Sequence, residues 1–163
     1  MYLGYQNNQI KFYTVQPFDE PTIEKWEETN QEYVLDGTQY VLKNAAWEAE
    51  QTEKREENFK SEFFEIPNYG WFRKIPKGYS SAVESLNTAF NAVTILQQLP
   101  ANMLIFYQEP DFTKPEECTE EWLIAHQITN EQMTVQEFGA FYMAFMTAWN
   151  TQEHENSENE EEQ

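Results

Sequence analysis

The sequence predicts an α+β fold: N-terminal β-hairpins, a long charged linking helix, then a strand–helix–strand–helix unit. Three observations predict it. The turn-forming pairs Asn7-Asn8 and Asp36-Gly37 each sit between short β-prone runs. Residues 44–64 are rich in the helix formers Ala, Glu, Lys and Gln. Beyond residue 80, apolar side chains recur at spacings of three and four in stretches that open on Ser or Thr followed three residues later by Glu.

The first hairpin joins Tyr2–Tyr5 to Ile10–Val15 through Asn7 and Asn8, since Asn tolerates the left-handed backbone a tight turn needs. One or two helical turns are expected over Thr22–Glu28, after Pro21. The second hairpin joins Glu32–Leu35 to Thr38–Leu42, with Asp36-Gly37 as a type I′ turn. Over 44–64 Asn44 is a ready cap, and Glu50/Lys54 and Glu56/Lys60 are acid-first pairs four residues apart. The middle of this helix is polar all round, which fits a connector, so modules are expected at 1–43, 44–64 and 65–150. One continuous α+β domain is the expectation, with a small N-terminal β appendage as the alternative.

In the third module a short strand is expected at 70–75, between Pro67 and Pro76. Ser81-x-x-Glu84 opens a helix to Leu99 with Val83, Leu86, Phe90 and Val93 on one face, stopped by Pro100. Met103–Tyr107 reads as a buried strand, and Thr113-x-x-Glu116 as the cap of a helix over 115–127. Thr134-x-x-Glu137 caps a last helix to Trp149, apolar on most sides and therefore central to the core or shared with a partner. Residues 151–163 read as a disordered acidic tail.

Composition bounds the function. The net charge of −19 repels nucleic acid and anionic membranes and attracts basic surfaces. It is uneven: residues 1–77 hold nine bases against fourteen acids, and 78–163 hold Lys114 alone against fifteen acids. Aromatic residues, 16% of the chain, supply a core without disulfide staples. Cys118 is the single cysteine, which excludes an internal disulfide framework and a C-x-x-C zinc site. The N-terminus has no signal-peptide pattern, and no run nears the roughly 20 apolar residues of a membrane span, so a soluble chain made inside the cell is expected.

No catalytic set emerges. His126 and His154 stand alone, and the glutamates flanking Cys118 disfavour its thiolate. Asp19-Glu20 and Glu109-x-Asp111 read as solvated loop carboxylates, and the glycines are isolated rather than clustered into a phosphate loop. The expectation is a protein without enzymatic activity or cofactors. Two candidate partner-binding groups stand out. Trp71, Phe72, Arg73 and Lys74 form a basic aromatic run within a wider basic set of Lys54, Arg55, Lys60 and Lys77; internal pairing with carboxylates is the simpler reading of those charges. Phe141, Phe145 and Trp149 lie on the broad apolar last helix, which suits a partner or a homo-oligomer.

Phe63-Phe64, then Tyr69-Gly70-Trp71-Phe72-Arg73-Lys74, an amphipathic helix ending in Leu99-Pro100, and Leu104–Phe112 with its Glu109-Pro110-Asp111-Phe112 turn together resemble a group of small phage and prophage proteins. Those proteins look like products of the tail and host-attachment gene region of gut-bacterial phages. The resemblance covers the central third of the chain and departs from the group at Ile75–Tyr79, where a Pro/Lys/Gly segment replaces a longer polar hairpin. It implies a tail-associated structural or assembly role by protein–protein binding, synthesis in the host cytoplasm with a place in the virion, and other phage structural proteins as partners. It supplies no functional residues. The alternative from charge alone is an acidic mimic of nucleic acid that occupies the basic groove of a host enzyme.

Overall fold

The computed structural model describes residues 1–74 and 82–161, from Gln152 onward by backbone alone. The predicted Ser81 cap and the Ile75–Tyr79 loop, with Lys77, lie outside the described residues. The fold is mixed α and β, with N-terminal strands and four α-helices among the described residues. Two compact units form, Met1–Thr52 and Glu53–Gln163.

In the first unit β1 (Tyr2–Gln6), β2 (Gln9–Thr14) and β3 (Lys25–Glu28) make an antiparallel sheet in the order β2-β1-β3. Asn7 and Asn8 take φ of 51° and 60°, the left-handed pair of a type I′ turn, as their identity predicts. The segment read as helical turns is instead strand β3. Gly4 explains the difference: a Cβ there would lie 2.8 Å from the Trp26 ring, so only a bare backbone lets the indole lie across β1. Phe12 and Phe18 pack on that indole, and Glu24 N–H and Thr29 N–H donate to the Tyr5 and Met1 carbonyls at 2.8 Å, tying down both ends of β3. Tertiary packing overrides local preference here.

The second hairpin pairs β4 (Tyr33–Asp36) with β5 (Gln39–Leu42). Asp36 opposes Gln39, so the turn residues are Gly37-Thr38 rather than Asp36-Gly37. Gly37 at φ 63° is the one left-handed residue of the turn, the pattern of a type II′ turn with Gly first. Tyr13 of β2 packs on Tyr33 and Tyr40. The unit is thus held by aromatic contacts, and Leu3 is its one large side chain that is fully buried.

Helix α1 (Ala45–Glu62) is capped by Asn44, whose Oδ1 accepts from Trp47 N–H at 2.9 Å, and it buries Phe59 alone, consistent with its all-round polarity. Phe63 and Phe64, expected at its end, begin β6 (Phe63–Ile66). The Phe-Phe-x-Ile run alternates between two buried faces, a strand period that helix propensity did not reveal. A turn through Asn68 (φ 70°) leads to β7 (Gly70–Arg73). Then come α2 (Ala82–Leu96), the short β8 (Gln98–Leu99), β9 (Ile105–Tyr107), a 3-10 turn over Pro115–Cys118, α3 (Glu120–Ala125), β10 (Gln127–Thr129), β11 (Met133–Thr134) and α4 (Val135–Glu161).

Thr113 does not cap the helix predicted after it. Asp111 accepts both the N–H and the hydroxyl of Thr113, and Thr119 caps α3 by accepting from Trp122 N–H at 3.2 Å. The last capping box forms as predicted: Thr134 N–H donates to Glu137 at 2.8 Å and Glu137 N–H donates to Thr134 Oγ1 at 3.2 Å. Helix α4 then continues to Glu161 through the segment read as a tail, because nothing in 150–161 is Gly or Pro and Glu and Gln are good helix formers.

The second unit is layered about the antiparallel sheet β10-β9-β7-β6. Alternation sends Phe64, Ile66, Phe72 and Phe106 to one face, against Leu86, Ala89 and Val93 of α2 and Phe138, Phe141 and Phe145 of α4. It sends Phe63, Trp71 and Tyr107 to the other, against Phe59 of α1, Phe112 and Leu123 of α3. Asn130 is the buried tie between the sheet and the β8 segment. Its Oδ1 accepts from Leu104 N–H at 2.8 Å, and its Nδ2 donates to the Pro100 and Glu131 carbonyls at 3.0 and 2.6 Å.

Candidate functional site

The two predicted binding groups are mostly interior. Phe72 and Arg73 are each 3% exposed, and Phe141 and Phe145 are fully buried. These four are corrected from partner contacts to core. The strand period puts Phe72 inside one layer and Arg73 inside the other, and the wide apolar face of α4 seats on the sheet rather than on solvent. Trp149 stacks on Phe145 and packs against the same core, partly exposed. Trp71 is half-buried against Phe59, and Lys74 is half-buried with its ammonium donating to the Lys60 carbonyl at 3.3 Å.

Arg73 is the electrostatic centre of its layer. Its guanidinium donates from Nη1 and Nη2 to the two carboxylate oxygens of Glu120, both at 2.9 Å, and lies over the Phe63 and Tyr107 rings at 4.8 and 5.1 Å. Its Nε–H is buried and finds no acceptor among the described residues. Burial works most strongly against the charge, but the hydrogen bonds to Glu120 together with the field of Tyr107, Glu120 and Glu62 outweigh it and hold the group above its ordinary pKa. Of the neighbouring bases, Arg55 Nε donates to the Phe112 carbonyl at 2.7 Å, and Lys60 bridges Glu56 at 2.6 Å on the exposed surface of α1. The simpler reading of the basic run therefore holds for these residues. The Arg73–Glu120 pair is a structural lock within its layer.

Catalytic chemistry gains no support from the geometry. Burial pushes the Cys118 thiol up, with Glu117 and Asp111 adding to the shift against the opposing Arg55. His126 stacks on Trp122 at 4.0 Å, and its Nδ1 lies 2.8 Å from the Trp122 carbonyl. Among the described residues, no three of His, Cys, Asp or Glu converge as a metal site would require, and no helix is long and apolar enough to cross a membrane.

A different surface stands out. Helices α2 and α4 cover one face of the sheet, and their outer sides remain open. Ile95 is 79% exposed and Met143 66%, and Phe90, Leu96 and Val135 are also exposed. The two helices meet where Phe90 contacts Tyr142, ring centroids 6.2 Å apart. No formally charged residue occurs from Ser85 to Gln108 or from Phe138 to Gln152, in a chain where 24% of residues are charged. Each helix carries one carboxylate in its first turn: Glu84, exposed on α2, and Glu137 on α4, whose carboxylate closes the capping box. Sequence reasoning read this helix as apolar on most sides but singled out as binding candidates only residues of its core stripe, Phe141, Phe145 and Trp149. The available signal was that pair of charge-free stretches, which hydrophobic periodicity alone does not register.

Comparison of the chain with protein-family models, with curated proteins and with solved structures gives no match.

Proposed function

We propose that this chain is a non-enzymatic protein that works by binding other proteins, as a tail-associated structural or assembly component of a phage, with α1 as a charged connector between its two units. The observation that supports binding is the sparsely charged outer surface of α2 and α4, with large apolar side chains open to solvent on a chain of net charge −19. Residues kept bare of charge in such a chain are suited to close apolar contact, which a carboxylate would oppose. The phage context is supported by the resemblance of residues 63–112, of whose motif residues Phe63-Phe64, Gly70–Arg73 and Ile105–Tyr107 fall on β6, β7 and β9.

The test is quantitative mass spectrometry of purified phage particles and of their assembly intermediates from the producing host. Peptides of this chain at a fixed copy number in either fraction are expected. Absence from both, with abundant protein in the lysate, would overturn the structural and assembly reading.

The extension of α4 to Glu161 favours one second reading, an acidic mimic of nucleic acid, since it carries Glu153, Glu155, Glu158, Glu160 and Glu161 on helical backbone. Against it, the carboxylates of Asp111, Glu117, Glu120 and Glu137 are engaged in internal hydrogen bonds. Removal of residues 153–163 separates the two readings: binding survives under the first and is lost under the second.

A further inference from the structure

We propose that Asp36 is a site of spontaneous isoaspartate formation, at which the turn of the β4–β5 hairpin rearranges its own backbone with water as the sole co-reactant. The inference stands apart from the proposed binding role, and neither outcome of its test bears on that role.

The chemistry needs an aspartate, a following backbone N–H within reach of its carboxyl carbon, and no side chain on the following residue to block the approach. Gly37 meets the last condition, because it carries no Cβ. Asp36-Gly37 is the one pair of this kind in the sequence. Asp19 and Asp111 precede Glu20 and Phe112, and no asparagine precedes a glycine. The hairpin also leaves the pair open. Asp36, Gly37 and Thr38 are exposed, and nothing lies within 4 Å of where a Cβ on Gly37 would stand. Asp36 closes the hairpin opposite Gln39, so the Gly37 N–H falls inside the two-residue loop and outside the ladder. Among the described residues, neither that N–H nor the Asp36 carboxylate has a hydrogen-bond partner. Asp111 is the contrast: its carboxylate accepts both the N–H and the hydroxyl of Thr113, and the bulky Phe112 follows it.

The Gly37 nitrogen attacks Cγ of the protonated Asp36 carboxyl. A new C–N bond forms, the carboxyl hydroxyl leaves with the amide proton as water, and a five-membered succinimide results. Water then opens one of its two carbonyls. Opening at Cγ restores aspartate. Opening at the main-chain carbonyl leaves the peptide running through Cβ and Cγ, with the former main-chain carbonyl as a free carboxylate. One water is lost and one regained, so mass is unchanged and nothing is oxidised or reduced. The product has one extra backbone atom between the Asp36 Cα and the Gly37 nitrogen. A two-residue loop fixes register through its length, so the Asp36–Gln39 and Leu35–Tyr40 pairs beside the turn loosen first. Tyr40 packs on Tyr13, with ring centroids 6.1 Å apart, which carries the effect to β2.

The experiment keeps the full chain in warm, neutral buffer for several weeks, with and without urea, followed by digestion with trypsin. The peptide Trp26–Lys43 contains Asp36 as its one aspartate, so a second chromatographic species of the same mass, assigned by electron-transfer fragmentation, reports the isomer. It is expected to accumulate in the native chain at a rate within about tenfold of that in urea, a barrier difference below about 1.4 kcal/mol. The peptides holding Asp19 and Asp111 should remain single species. Asp36→Glu keeps the charge but would have to close a six-membered ring, and should give no isomer. Hydrogen exchange over residues 33–42 should quicken in the aged native chain and not in aged Asp36→Glu. A native rate more than about tenfold below that in urea overturns the inference, because the folded turn would then hold the two groups apart. Equal accumulation at Asp19 would overturn the assignment to this turn, and equal quickening in Asp36→Glu would overturn its structural consequence.

Discussion

Glu120→Ala should be among the most destabilising single substitutions in the second unit, and Arg73→Met among the mildest core changes, although each removes one half of the same ion pair. The Arg73 side chain is 4% exposed and that of Glu120 is 29% exposed. Taking away the carboxylate strands a guanidinium between the Phe63 and Tyr107 rings with none of its Glu120 bonds, its Nε–H already lacking an acceptor. Breaking a buried pair in this way costs about 3–5 kcal/mol, and the partial exposure of Glu120 places this case near about 3 kcal/mol. That is a large share of the roughly 5–15 kcal/mol that stabilises an ordinary domain. Arg73→Met keeps the stem packed on both rings and releases Glu120 toward water, so it should cost less than about 1.5 kcal/mol. Glu121→Ala controls for the interaction of acids with the start of α3, worth at most about 1 kcal/mol. The assay is urea unfolding followed by tryptophan fluorescence and by circular dichroism, compared at constant m. The bridge should also be insensitive to pH on its arginine side. A cation with a raised folded pKa keeps its full contribution below the unfolded value and loses it only as pH rises through the folded one, which here lies above that of free arginine. Equal losses for Glu120→Ala and Arg73→Met, or a Glu120→Ala loss below about 1 kcal/mol, would refute the claim that an unpaired buried charge dominates the cost.

Three further outcomes follow from the geometry. Gly4→Ala drives a Cβ to 2.8 Å from the Trp26 ring and should destabilise the first unit by about 1–3 kcal/mol, read as a red-shifted tryptophan emission at lower urea. Asn130→Ala leaves Leu104 N–H and the Pro100 carbonyl without their partner and should cost about 2–4 kcal/mol, with faster hydrogen exchange at Leu104; Asn130→Asp, which cannot donate to Pro100 and Glu131, should be no milder. The Cys118 thiol, held up by burial and nearby carboxylates, should react with a disulfide reagent more slowly in the native chain than in urea at the same mildly alkaline pH, and equal rates would contradict its described surroundings.

Much of the local structure was legible because it is decided within a few residues. Asn7-Asn8, the Asn44 cap and the Thr134/Glu137 box each depend on a side chain reaching its own backbone neighbourhood, and each forms as read. What was not legible depends on contacts distant in sequence. Trp26 makes β3 a strand by lying on Gly4, twenty-two positions earlier, and Asn130 is fixed by a carbonyl and an amide on the far side of β9. The candidate site was misplaced for the same reason. Trp71–Lys74 reads as one basic aromatic run along the chain, but strand alternation distributes it between two buried layers, with Arg73 claimed by a glutamate 47 positions away.

The partition of charge in the second unit links solubility to the proposed binding mode. Charge concentrates on α1, on the 3-10 turn with α3, and on the end of α4, while the α2 helix and the first half of α4 carry almost none. A bare apolar face on a neutral protein invites open-ended association, because any other surface can serve as the second contact. On a chain at −19 the other surfaces repel one another, so growth past the first contact is opposed. The same carboxylates therefore both keep the chain dispersed and oppose open-ended growth. Consequently, neutralising substitutions on the acidic surfaces, such as Glu116→Gln with Glu121→Gln, should raise the tendency to form larger species. Light scattering at low salt reads that difference directly, and an unchanged size distribution would show that the carboxylates do not keep the chain dispersed.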